Sequence, residues 1–319
     1  MKIFFRALFI PVFASSFMRV AFAHSGEIHD LSVADVSILG DWNFDPLFLF
    51  PLLLGLLYFR GLRAYRKKGG RRFPRWRPPL FALGLVFVAL ALISPVDRLA
   101  DISFTWHMFQ HQWLMLVAIP LLLLGAPFLP VVWGLPMALR RWVFIPFAKN
   151  FLVRFFIIQG TRPLPALALM QAALLIWHMP ENYDRALLNE ALHYLEHVTF
   201  MVTATLFWWN LVSPYPFPSR LNPLMRIAFL VLSSIFNTTL SAFMTFADSV
   251  LFGYDRLIAF WGLPMLAEQN LGGLLMWVAG AMIHLFAIGL IFFLYVAEER
   301  KKEPPRALYI TGAPTAENP

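Results

Sequence analysis

The feature that most constrains this chain is a succession of apolar runs, each close to or above the ~18 residues that cross a hydrocarbon core as a helix. They fall at about 45–60, 78–95, 104–124, 164–180, 191–212, 224–246 and 268–296. Hydrophobic residues make up 59% of the chain and charged residues only 14%, where a soluble protein carries about 25% charged. The remaining polar surface is too small to cover these runs in water, so lipid must cover them. The expected fold is all-α: a polytopic transmembrane helical bundle of about seven spans over residues 45–297.

Charge sets the expected orientation. Nine Lys and Arg fall in the segment RGLRAYRKKGGRRFPRWR at 60–77, whereas residues 24–45 hold Glu27, Asp30, Asp35, Asp41 and Asp45 and no base. A basic run can suggest nucleic acid. Set between two apolar runs it reads instead as a cytoplasmic loop under the positive-inside rule, and no nucleic-acid partner is expected. The loops 125–162 (Arg140, Arg141, Lys149, Arg154, Arg162) and 213–226 (Arg220, Arg226) and the tail EERKKEPPR then fall on the same inner side. The intervening loops, with Asp97, Asp101, Glu181, Asp184, Glu190, Asp248 and Asp255, are not basic and face out. The N-terminus is expected outside and the C-terminus inside.

Residues 1–23 pair Lys2 and Arg6 with an apolar stretch and Ala21-Phe22-Ala23, the pattern of a cleavable secretory signal. Residues 24–44 are then an external segment, and 298–319 a disordered cytoplasmic tail. The Pro-rich stretch 125–162 is expected to hold a short interfacial helix around LPMALRRWVF. The chain has no Cys, which removes disulfides, thiolate metal sites and redox dithiols together.

Two copies of His-x-x-x-His mark the candidate site: His107/His111 and His193/His197. Residues i and i+4 share one helix face, so each pair can aim two imidazoles at one point. With eight His in the chain, chance supplies about 0.2 such spacings. Both pairs fall at the outer ends of their helices, and His178 falls at the outer end of the helix between them. At about 1.5 Å rise per residue the five lie within a slab of about 10 Å. One such His is an ordinary interfacial side chain, like its neighbours Trp106, Trp113 and Trp177; five at one depth are a candidate metal site. Met108 and Met179 follow two of them with thioethers, and imidazole with thioether outside the cytoplasm is copper chemistry.

Accessory candidates are more scattered. His284 sits mid-span, either functional or as hydrogen-bonding glue beside Gly280 and Ala281. Ser233, Asn237 and Ser241 form a polar stripe that suits helix packing. Glu268 can orient an imidazole or complement a helix N-terminus. Cleavage after Ala23 would expose His24 as the N-terminal residue, which either forms a weak copper chelate together with His29 or belongs to a solvated polar tail.

Three stretches, WHMFQHQWLMLVAIPLLLLGAP (106–127), IWHMPENYDRALLNEALHYLEHVTFMVTATLFWW (176–209) and LAEQNLGGLLMWVAG (266–280), resemble the CtaG family of multi-span bacterial cytochrome c oxidase assembly factors, of the caa3 type. The resemblance runs from about 45 to 297. Glu268 stands where Asp is expected, which keeps the carboxylate. An unrelated single-span copper donor that shares the name depends on Cys, which this chain lacks. The resemblance implies a non-enzymatic role in maturing a haem–copper oxidase in the bacterial inner membrane. The implied partners are oxidase subunits, the lipid bilayer and a periplasmic copper donor. The leading expectation is a copper-binding assembly factor. The alternatives are a haem-binding membrane redox protein with one axial His from each of two helices, a His-rich diiron oxidoreductase, and a metal transporter.

Overall fold

The computed structural model describes residue 42 and residues 49–67, 73–253 and 262–302. The expected signal segment, His24 and His29 lie outside them. Twelve helices and no strand are formed among the described residues: α1 (Leu49–Lys67), α2 (Arg77–Ile93), α3 (Pro95–Ile102), α4 (Phe104–Leu124), α5 (Phe128–Gly134), α6 (Met137–Lys149), α7 (Phe151–Gly160), α8 (Pro163–Trp177), α9 (Pro180–Leu188), α10 (Glu190–Val212), α11 (Pro223–Thr245) and α12 (Met265–Lys302). The chain is an all-α polytopic helical protein. Among the described residues, α4, α11 and α12 are each long and apolar enough to cross a membrane. Counting the bent pairs α2–α3 (46°), α5–α6 (116°) and α8–α9 (74°) as single spans raises the number to as many as six. α10 has the length, at 23 residues, but Glu190, His193, Glu196, His197 and Asn210 dilute its hydropathy.

The helix breaks follow local chemistry. Ser94 ends α2 and caps α3, its hydroxyl accepting from Val96 N at 3.2 Å, with Pro95 at the first helical position. His178 and Met179 separate α8 from α9, which Pro180 restarts. α1 does not stop where the basic loop was expected at residue 60. It continues through Arg60, Arg63, Arg66 and Lys67, because long basic side chains suit a helix C-terminus and can reach water from it. A helix does form over the stretch LPMALRRWVF, as α6, whose Met137, Trp142 and Phe147 are exposed.

α4 and α6 each contain a widened π-type segment, Trp113–Ala118 and Arg140–Phe144, and each segment is followed by Ile-Pro. The proline ring collides with the carbonyl four residues back in a regular α-helix. Opening the preceding turn removes that collision, and the residue before proline bonds five back instead: Ile119 N to Leu114 O and Ile145 N to Arg140 O.

One core cluster draws on α4, α8, α10, α11 and α12 and holds Phe104, Met115, Met170, Phe200, Phe207, Leu230 and Met276. α11 lies along α12, α12 crosses the first half of α4, and α8 packs on α10. α1 and α5 touch backbone to backbone: a Cβ on Gly61 would collide with the Pro130 carbonyl, and one on Gly134 with the Leu57 carbonyl. Tyr58 stacks on Phe81 with ring centroids 3.7 Å apart and donates to Gly125 O at 2.8 Å.

Candidate metal centre

Both His-x-x-x-His motifs are set on their helices in the same way. Ser103 caps α4, its hydroxyl accepting from Trp106 N at 3.4 Å, and Asn189 caps α10, its side chain accepting from Leu192 N at 3.2 Å. Each cap lies four residues before the first His, and its carbonyl accepts that His amide at 3.0 Å. The first imidazole of each pair therefore sits in the opening turn and the second one turn deeper.

The two helices present these faces to each other. Ring centroids lie 4.3 Å apart for His107–His111, 4.5 Å for His193–His197, 5.4 Å for His107–His193 and 5.2 Å for His111–His197. The four rings form a closed quadrilateral, walled by Tyr183, 5.1 Å from His107, and Phe200, 4.7 Å from His111. Into it points Glu196, which sequence reasoning passed over. Its Oε1 is 3.8 Å from His107 Nε2 and 3.6 Å from His111 Nδ1, with all three side chains at most 2% exposed. One ligand atom each from His107, His111, His193 and Glu196 fall within 4.8 Å of one another.

Electron pairs outnumber protons here. Buried atoms without a hydrogen-bond partner include both ring nitrogens of His111, Nε2 of His178, His193 and His197, and Glu196 Oε2. Stranding a buried polar atom costs about 1–3 kcal/mol, and these atoms lie among side chains whose ligand atoms are close enough together to hold a metal ion. His178 is close enough to Glu196 and His107 to interact with them electrostatically. Its Nδ1–H donates to Leu174 O at 2.7 Å, which leaves Nε2 as the free electron pair in the neutral ring.

The accessory candidates are placed differently. Met108 is packed in the apolar core, because the neighbour of a helical His points about 100° away from it, and Met179, in the break between α8 and α9, is 53% exposed. Glu268 meets no imidazole: it accepts from the Ser103 hydroxyl, while Thr105 Oγ1 donates to its carbonyl at 3.3 Å. It thereby ties the start of α12 to the cap of α4. His284 donates from Nδ1 to Gly280 O of its own helix at 2.8 Å rather than across helices. Of the polar stripe on α11, Ser233 accepts from Gln171 at 3.1 Å and Asn237 donates to Met276 O at 3.4 Å, while Ser241 bonds within its helix.

Fold and site define a class: a polytopic α-helical membrane protein with a buried His/Glu cluster able to hold a metal ion. Within that class the chain belongs to the family described as cytochrome c oxidase caa3 assembly factor, whose pattern it matches over residues 56–298. It is also similar to uncharacterized proteins of Mycobacterium bovis and Mycobacterium tuberculosis, each 27% identical over 250 residues, covering 75% of this chain and 37% of the relative. A relative from Mycobacterium leprae is 24% identical over 248 residues. The chain thus spans well under half the length of these curated relatives. No solved structure matches it.

Proposed function

We propose that this protein assists the assembly of a cytochrome c oxidase by holding copper at its His/Glu cluster and passing it toward the oxidase copper centres. The observation that carries the reading is the convergence within 4.8 Å of the buried His107, His111 and Glu196 and the half-buried His193, together with membership of the caa3 assembly-factor family. Three imidazoles and a carboxylate form a copper-competent donor set, and His197 and His178 stand beside it as further donors. The carboxylate offsets part of the ion's charge, which an apolar interior otherwise penalises heavily. Donors this close converge on a point, which favours a single ion over the haem alternative, and one carboxylate is too few for a diiron centre.

Under the positive-inside rule the cluster lies at the outer face of the bacterial inner membrane, within reach of a periplasmic copper donor and of oxidase subunits. A donor matters most when copper is scarce, since mass action at high copper loads an oxidase unaided. Cells lacking the protein, or carrying His107→Ala with His193→Ala, are expected to make the oxidase subunits but lose activity, and added copper is expected to restore part of it. His178→Ala is expected to give a milder defect. An oxidase that lacks haem instead, with no response to copper, would overturn the reading.

A further inference from the structure

One to two turns along α4 from the His/Glu cluster, the helices enclose a cavity of about 10 Å³, room for a single water-sized particle. His284, Gln112, Met115, Met170, Ser233 and Asn237 line it. Ser233 and Asn237 have the partners already described. Gln112 Oε1 and His284 Nε2 are buried and have none, and His284 is only 3% exposed. Because Nδ1 of His284 donates to Gly280 O, Nε2 of the neutral ring carries a lone pair. The cavity is therefore lined by an imidazole nitrogen, an amide oxygen and two thioether side chains, all neutral electron-pair donors. The Thr203 hydroxyl donates to Met170 Sδ at 3.6 Å, which occupies one of the two electron pairs of that sulfur.

We infer that this cavity is a second metal site, specific for a soft monovalent cation, Cu(I) in chemical class, with His284, Met115 and Met170 as its principal ligands. Thioether and imidazole favour Cu(I) over harder ions. The cost of burying an ion grows with the square of its charge, and no carboxylate lines the cavity, so a divalent ion is disfavoured where a monovalent one is tolerated. The position adds to the argument. Met115 lies four residues beyond His111 on α4, and Leu174, whose carbonyl holds His178, also lines the cavity. An ion here is one or two turns below the upper cluster on the same helices. Gly280 gives the site its fit, since a Cβ there would sit 2.5 Å from Asn237 Nδ2 and 3.6 Å from Gln112 Oε1.

The test is anaerobic titration of the purified full chain in detergent with Cu(I) against a competing chelator, followed by X-ray absorption. A variant carrying His107→Ala, His111→Ala, His193→Ala and His197→Ala should still bind one equivalent, with sulfur in its coordination shell. Adding Met115→Leu and Met170→Leu, which conserve volume and keep the core filled, should abolish that equivalent, as should adding His284→Leu alone. If the four-His variant binds no Cu(I), the cavity holds an ordered water only and the inference fails, while the upper cluster remains a candidate. If the equivalent survives the Met and His284 changes, it is bound elsewhere and the inference fails. If the four-His variant binds as much as the native chain, the upper cluster is not a copper site, and the Met and His284 variants alone decide the inner one.

Discussion

At Glu196 the needs of an empty cluster and a filled one pull in opposite directions. Without an ion, its Oε2 and the facing imidazole nitrogens lack hydrogen-bond donors, and each unmet group lowers stability by about 1–3 kcal/mol. With an ion those electron pairs become ligands. Glu196→Gln separates the two states, because the amide keeps the shape, removes the charge and brings N–H groups that can donate to imidazole. Copper affinity is expected to fall at least about tenfold, while the thermal unfolding temperature of the metal-free protein in detergent stays level or rises. Unchanged affinity in a chelator-competition assay would leave Glu196 a structural role only. The spacing of the His pairs made the two helix faces legible in the sequence. Glu196 was not, because a carboxylate one residue before His197 looks like any polar residue near a helix start until α4 is set opposite. A glutamate three residues after His193, on the same face, was the available signal. The side chain of Met108 shows the converse: adjacency in sequence places a residue on another face of the helix.

Among the elements, the α1–α5 crossing depends on two residues without side chains. Gly61→Leu puts a branched side chain where the Pro130 carbonyl lies, and is expected to destabilise the protein by about 1–3 kcal/mol. It should appear as lowered accumulation in the membrane and a lower unfolding midpoint in detergent, while copper binding at α4 and α10 persists in the protein that survives. Undiminished accumulation would show that the two helices have room to part. Helix positions were readable because an apolar run states its own length: the run at 104–124 is α4 and that at 224–246 is α11 within a residue. The breaks near Ser94 and His178 were legible as the ends of the runs at 78–95 and 164–180. The short helices α3 and α9 that follow them and the continuation of α1 past Arg60 were not, since they depend on caps and neighbours rather than on hydropathy. Nor does periodicity reveal which helices pair, a matter of close-approach glycines and side-chain shape.

For the whole molecule, the segregation of basic loops predicts which side of the membrane the His/Glu cluster faces. Reporter fusions after residue 150 are expected to signal cytoplasm and those after residue 185 periplasm. The reverse pattern would place the cluster inside and remove a periplasmic copper donor from the scheme. The sequence carries this inference because charge is counted loop by loop. It could not carry the depth of the polar interior, where Gln112, Asn237 and His284 meet only once three helices are packed together.

The widened turns before Ile119-Pro120 and Ile145-Pro146 bear on how such a chain can change length. A π turn holds one residue more than an α turn, so Trp113–Ala118 stores a spare residue between the His-bearing turns of α4 on one side and Ile119–Leu124 on the other. Losing one residue there lets the turn contract without rotating His107 and His111 away from α10, whereas the same loss within Phe104–Gln112 swings part of the ligand face by about 100°. Contraction also returns the carbonyl clash that Pro120 now avoids. A shortened α4 is therefore expected to tolerate the missing residue better when Pro120 is replaced in the same step, so that length and proline act as one coupled choice.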